Sequence, residues 1–180
     1  MIYVFLADGF EEIEALATVD VLRRAEIETV TVGVGTKTPV GTHNIKVEAD
    51  ITEEEATAEN ITGVVLPGGL PGAWNLLASK RVEELTRYCF ENGKLVTAIC
   101  AAPSVLGDWG MLNGKKATCY PGFEDRLSGA EVCPDAAVSD GFVITGKGAG
   151  AALEFAFKIV EKLCSKEKAE SIKEAMQCIR

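Results

Sequence analysis

Cys100 is the residue best placed to do chemistry in this chain. It sits in the stretch K-L-V-T-A-I-C-A-A-P-S-V-L-G from Lys94 to Gly107. Leu95 to Ile99 is an apolar run too short for a helix and bounded by Asn92-Gly93, so it reads as a fully buried strand. Cys100, two alanines, Pro103 and a helical segment ending near Gly107 follow at once. A strand that turns sharply into a helix leaves the turn residue at the helix N-terminus, where free N–H groups and the positive dipole end favour an anion. A thiol there is expected to have a lowered pKa and to be partly thiolate near neutral pH. The layout is that of a nucleophile elbow with cysteine in place of serine. The competing reading is packing, because free cysteine often serves as a small buried apolar side chain.

Other residues could complete a site. Gly68-Gly69, inside P-G-G-L-P-G at 67–72, offers backbone N–H groups without side-chain obstruction. Paired with the N–H of Ala101, it could form an oxyanion hole beside the sulfur, or it could be only a tight turn. Three acids, Glu11, Glu12 and Glu14, open the first helix. A carboxyl held near a thiolate resists ionisation and can donate a proton. Spacing alone does not choose among the three. Cys–His catalysis needs an imidazole, and His43 is the one histidine. The G-K-G-A-G-A run at 146–151 fits a relaxed dinucleotide fingerprint. It follows the last strand with no further β-unit, so it is discounted.

The elements that must position these residues fit one domain over 1–180, with 47% hydrophobic residues to build a core. A net charge of −9 argues against nucleic acid as partner. No window is apolar enough to span a membrane, and the N-terminus M-I-Y-V-F-L-A-D lacks a basic region, reading as a strand and not a signal peptide. Six cysteines, at 89, 100, 119, 133, 164 and 178, form no C-x-x-C pair, and one histidine makes no credible zinc cluster. A cytoplasmic protein with reduced thiols is expected. Cys89, Cys164 and Cys178 are expected to be helix packing.

Strands are expected at 1–7, 28–33, 63–66 and 95–99, with a short strand at 116–119 and a hairpin of 137–140 with 142–145 turning at Asp140-Gly141. A small strand pair is expected around Val40 and 45–47. Helices are expected at 11–25, at 52–59 with Thr52 and Glu55 as a capping box, at 80–91 after Ser79, and at 151–163. A brief helix should follow Tyr120-Pro121-Gly122. A last amphipathic helix should carry Ile172, Met176 and Ile179. This order implies a mainly parallel sheet with helices on both faces. Its site should form at the carboxyl ends of the strands.

The motifs L-A-D-G-F-E-E-I-E-A at 6–15, V-D-V-L-R-R-A at 19–25, V-V-L-P-G-G at 64–69, A-I-C-A-A-P at 98–103 and G-K-G-A-G-A-A-L-E-F-A at 146–156 span nearly the whole chain. Together they resemble the ThiJ/PfpI superfamily, in the branch of the Parkinson's-disease-linked protein and its bacterial deglycase relatives. The resemblance implies a flavodoxin-like α/β sandwich of three layers and a homodimer. It places the reactive cysteine at Cys100, its partner carboxyl at Glu14, and the oxyanion-type backbone donors at Gly69 and Ala101. Asp20 and Arg24 match dimer-interface positions, and His43 falls near an interface arginine. Where many relatives carry a histidine after the next strand, T-C-Y-P at 118–121 has Tyr120, a poor proton shuttle at neutral pH. That leaves Glu14 as the main acid/base, with Gly68, Tyr120 and His43 as candidate substrate contacts. Cys119 is a further candidate, as a resolving thiol. Ala101 stands where the protease-like branch has histidine, and no later His-x-Glu of an amidotransferase occurs.

Two functions are expected to compete. One is a glyoxalase or deglycase without metal, glutathione or other cofactor, in which Cys100 forms a hemithioacetal with methylglyoxal or glyoxal and Glu14 moves protons. The other is an oxidative-stress sensor or chaperone-like protein whose Cys100 is oxidised to a sulfinate without significant turnover.

Overall fold

The computed structural model describes residues 1–178. The first strand, β1 (Ile2–Ala7), is buried at all six positions. A strand alternates its side chains between two faces, so such a strand needs cover on both. Tyr3, Phe5 and Ala7 enter one apolar cluster, and Ile2, Val4 and Leu6 enter another. The helices supply the two covers. On the first face lie α2 (Gly72–Ala78), α3 (Lys80–Glu91) and α4 (Pro103–Asp108), through Leu76, Val82, Leu85, Val105 and Leu106. On the second lie α1 (Glu12–Arg24), α5 (Ala152–Leu163) and α6 (Lys166–Ala175), through Val19, Leu22, Phe155, Ile159 and Ile172. Each fully buried Leu, Ile or Phe among them contributes about 1.5–3 kcal/mol.

The remaining strands are β2 (Thr29–Val34), β3 (Ile51–Thr52), β4 (Gly63–Leu66), β5 (Leu95–Ile99), β6 (Lys116–Ala117), β7 (Glu131–Val132), β8 (Ala137–Asp140) and β9 (Val143–Gly146). The main sheet runs β3-β2-β1-β4-β5-β9-β8. It is parallel except for β8, which pairs antiparallel with β9. This is the flavodoxin-like α/β fold, in which strand order reverses beside β1 and ligand sites collect at the carboxyl ends nearby.

Most expected elements form. Ser79 caps α3, its hydroxyl accepting the Val82 N–H at 3.2 Å. Val40 and Lys46 make a single antiparallel bridge in place of a strand pair, and Glu124–Arg126 forms the brief turn of 3₁₀ helix. The helix expected over 52–59 does not form. Thr52 closes β3, and 53–59 is turn and bend. The capping contact survives locally, since the Thr52 N–H still donates to Glu55 Oε2 at 2.8 Å. Pairing of Ile51 and Thr52 with Val32 and Gly33 wins over a short helix that has few apolar residues to bury. The expected strand at 116–119 shortens to β6, which joins β7 in a separate two-stranded sheet. Helix α2 was hidden behind a run of glycine and proline. Of the three cysteines expected in helix packing, Cys89 is fully buried, but Cys164 caps the end of α5 and is exposed. Ile179 of the expected last helix lies outside the described residues.

Candidate active site

Cys100 follows β5 directly and adopts φ +66°, a left-handed conformation that a non-glycine residue rarely takes. Two backbone bonds hold it there. Its N–H donates to Gly146 O at 2.9 Å, and its carbonyl accepts the Tyr120 N–H at 2.8 Å. Pro103 then opens α4 at a position where a missing N–H costs nothing. The strained turn is what a nucleophile elbow requires. The carbonyl of Gly146, the last residue of β9, gives the start of the glycine-rich run a structural role as the second wall of that elbow.

Three segments converge on the sulfur. The Glu11 N–H donates to Gly68 O at 2.9 Å, and Gly72 N–H to Gly9 O at 3.2 Å, so the loops after β1 and β4 are stitched together. Gly68 N–H donates to Glu14 Oε2 at 2.8 Å. A side chain at Gly68 would bring its Cβ within 2.6 Å of Cys100 Cβ and 2.7 Å of Glu14 Oε2. At Gly69, φ is +86° and a Cβ would meet Gly9 O at 2.4 Å. These two positions admit only glycine because the acid, the thiol and the loop occupy the space. The N–H groups of Gly69 and Ala101 face the Cys100 sulfur and favour its charged form.

Glu14 is completely buried. Burial raises its carboxyl to about 7, against the opposing pull of the Cys100 side chain and the Gly68 N–H. Among the described residues its buried Oε1 has no hydrogen-bond partner, the condition of an oxygen better suited to carrying a proton than a charge. Burial also pushes the Cys100 thiol up to about 12, helped by the charge and hydrogen bond of Glu14 and resisted by the Gly69 and Ala101 N–H groups. The expected lowering of the thiol pKa is therefore corrected: next to an ionised Glu14 the sulfur keeps its proton. The two groups act as one acid pair. Its first proton is lost near neutrality and its second only in strong alkali. Between those limits the pair holds one negative charge, on Glu14, and one proton, on the sulfur, and passing that proton to the carboxylate makes the thiolate.

The structure thus brings Cys100, Glu14, Gly68, Gly69 and Ala101 together. Tyr120 is tied to Cys100 through its backbone, and its side chain is half exposed. Cys119 lies next to Tyr120 but opens on a different cavity. It is buried, its pKa is raised to about 11 by burial and by Glu124, and it faces a cavity of about 290 Å³ lined also by Cys133, Lys147 and Glu124 but not by Cys100.

His43 is engaged by Glu12. Its Nδ1 lies 2.9 Å from Glu12 Oε2, and its N–H donates to Glu12 Oε1 at 2.7 Å. The Thr42 hydroxyl and Ile45 N–H also reach Glu12, at 3.1 and 3.4 Å. Burial alone would raise Glu12, but the hydrogen bonds from His43, the main chain and Thr42 outweigh it and hold the carboxyl at about 2. The hydrogen bond to Glu12 and the charges of Glu11 and Glu12 raise His43. Ligand atoms of Glu11, Glu12 and His43 lie within 4.8 Å of one another, a grouping the expectation of no metal cluster did not foresee. The hydrogen bonds already account for it as a clasp between α1 and the 41–45 loop. Asp20 and Arg24 pair with each other along α1 at 2.7 Å, half exposed.

The sequence model of the DJ-1/PfpI family matches residues 1–162. Protein DJ-1 homolog A of Arabidopsis thaliana is 39% identical over 173 residues, covering 93% of this chain and 44% of its own length. Protein dj-1beta of Drosophila melanogaster is 38% identical over 172 residues, covering 94% of this chain and 92% of its own. The glutathione-independent glyoxalase DJR-1.2 of Caenorhabditis elegans is 33% identical over 164 residues, covering 90% and 87%. The chain spans less than half the length of the Arabidopsis relatives it matches. Among solved structures, a mutant of a DJ-1 superfamily protein from Salmonella typhimurium superposes with a TM-score of 0.94 at 32% identity, covering 99% of this chain and 98% of its own. Oxidized Toxoplasma gondii DJ-1 does so at 0.94 and 33%, covering 98% and 97%. With the matched region reaching from β1 into α5 and so containing both Glu14 and Cys100, the chain belongs to the DJ-1/PfpI family.

Proposed function

We propose that the protein is a cofactor-free, cysteine-dependent glyoxalase acting on methylglyoxal, glyoxal or their early adducts, working as a cytoplasmic homodimer. The observation that carries this reading is the buried Glu14 carboxyl, near 7, coupled to a Cys100 sulfur that two backbone N–H groups address. The glyoxalase name of the Caenorhabditis elegans relative supports the same substrate class.

In this reading the Cys100 thiolate adds to the aldehyde carbon, and the Glu14 proton goes to the alkoxide to give a hemithioacetal. The Glu14 carboxylate then takes the proton from the former aldehyde carbon and delivers it to the neighbouring carbon, while the hydroxyl proton passes from the first oxygen to the second. The product is a 2-hydroxyacyl thioester. Water hydrolyses it, freeing the thiol, so that methylglyoxal and water give lactic acid. The N–H groups of Gly69 and Ala101 steady negative charge beside the sulfur before and during addition. Lactate formed from methylglyoxal without glutathione or metal, and lost in Cys100→Ala and Glu14→Gln, is the expected result. Wild-type rates of lactate formation in both variants would reject it.

A second reading is favoured by the same N–H donors, which would also hold an oxidised sulfur, and by a relative solved in an oxidized form. Cys100 would then be a peroxide sensor in oxidative stress, ending as a sulfinate. A mass gain of two oxygens on Cys100 at low peroxide, with no lactate formed, would select it. For the dimer, exposed Ile13, Asp20 and Arg24 on α1 are the proposed contact face. A monomer mass in sedimentation would reject that part.

A further inference from the structure

Three aromatic side chains stand on the chain segments that flank the cysteine, Tyr120 and Phe123 after Cys119 and Trp74 in α2, and the reaction above does not use them. Tyr120 is anchored by its own N–H on the Cys100 carbonyl, and its ring edge passes so close to Gly148 that a Cβ there would lie 3.2 Å from it. Phe123 packs edge-on against Tyr120, with centroids 6.5 Å apart at 74°. Trp74 packs on Phe123 at 5.9 Å and 38°. Arg126 lies 4.2 Å over the Trp74 ring while paired with Asp108, which fixes the indole and occupies the guanidinium. The row therefore bridges the two loops that carry the site. One is the segment after Cys119. The other is Gly69 to α2, where the Gly69 N–H faces the sulfur. These separations and tilts are those in which aromatic pairs attract. Yet the rings are not sealed: Tyr120 is 51% exposed, and Trp74 and Phe123 are partly exposed. A fixed, half-open row of rings spanning the segments that flank a nucleophile is poor packing for its own sake and a good surface for a flat apolar group.

We propose that Tyr120, Phe123 and Trp74 form a shelf that binds the substituent on the substrate carbonyl, so that 2-oxoaldehydes with a planar aromatic substituent are preferred over methylglyoxal. The proposal rests on the glyoxalase reading and names its substrate class. A methyl group covers little of three rings, whereas an aryl group can lie along them. Added apolar surface in such a pocket is worth about tenfold or more in specificity.

The test compares kcat/KM for phenylglyoxal and methylglyoxal in the wild type, Tyr120→Leu, Phe123→Leu and Tyr120→Phe. Leucine keeps apolar volume and removes the ring, while Tyr120→Phe keeps the ring. A wild-type ratio of about tenfold, falling at least threefold in both leucine variants and retained in Tyr120→Phe, is expected. A wild-type ratio near one, or a ratio unmoved by both leucine variants, overturns the shelf and leaves the glyoxalase reading standing. Should neither aldehyde turn over, that reading fails, and binding of mandelate against lactate, followed by tryptophan fluorescence, decides the shelf alone. Mandelate bound about tenfold tighter, with the margin lost in the leucine variants, supports it; equal binding overturns it.

Discussion

Glu12 and Glu14 stand two residues apart in the first turn of one helix, and both are buried, yet their carboxyls go opposite ways. Glu12 is held at about 2 and Glu14 raised to about 7. Burial pushes both upward. The difference is in the donors. Glu12 collects hydrogen bonds from the His43 ring and main chain, the Thr42 hydroxyl and the Ile45 N–H. Glu14 receives only the Gly68 N–H besides its thiol neighbour, and among the described residues its Oε1 has no partner. Depth alone does not decide ionisation; the count of donors that depth leaves in reach does. One acid is thereby a charged clasp and the other a proton carrier, on the same helical turn.

The contrast can be broken in order of expected effect. Glu14→Gln should lower methylglyoxal turnover by about 100-fold or more, the usual worth of a positioned acid or base. Glu12→Gln keeps Glu14 and should cost far less. Equal losses in kcat/KM would show that the two acids do not differ in role. Next, Gly68→Ala should destabilise by about 1–3 kcal/mol, because its Cβ must displace Cys100 or Glu14. Urea unfolding at unchanged m-value measures this, and a neutral result would contradict the close approach.

Stability against pH sharpens the comparison further. Glu14 has a folded pKa above its ordinary 4.5, so the folded state holds a proton that the unfolded state releases. Stability should fall as pH rises from about 4.5 to about 7, and Glu14→Gln should flatten that slope. Glu12 has the opposite sign. Its contribution is complete above its ordinary 4.5 and is lost as pH falls through about 2. Thermal melts across pH 2–8 on both glutamine variants would show whether each slope belongs to the residue named. The smallest effect concerns rate of modification. Alkylation of Cys100 should show a step near pH 7 belonging to the acid pair, and Glu14→Gln should remove it. Retention of the step in that variant would detach it from Glu14.

Much of the site was legible in local pattern. The run Leu95 to Ile99 ending in Cys100 predicted the elbow, and β4, β5 and α3 formed at the expected residues. These segments share strong local cues: an apolar run bounded by turn residues, or a serine cap before a periodic face. The helix at 52–59 failed because a capping contact is local, whereas the choice between helix and strand there depended on a neighbour, β2, that only the fold supplies. Helix α2 was missed because proline and glycine at 67–72 read as loop, although Ala73 and Leu76 beyond them are buried. Trp74 and Phe123 carried no signal in the chain order, since their contact joins residues 49 positions apart.

By itself the sequence determined which segments are strands buried on both faces, where the thiol follows one of them, and which family's motifs run along the chain. These depend on neighbours a few residues away. The tertiary structure alone decided which of the two buried glutamates has its carboxyl raised and which lowered, that the thiol's own pKa rises beside its acid partner, and that Trp74, Phe123 and Tyr120 meet in one row. Those outcomes depend on the distances and donors around each group, and such surroundings come from chain segments distant in sequence that meet only when the sheet is assembled.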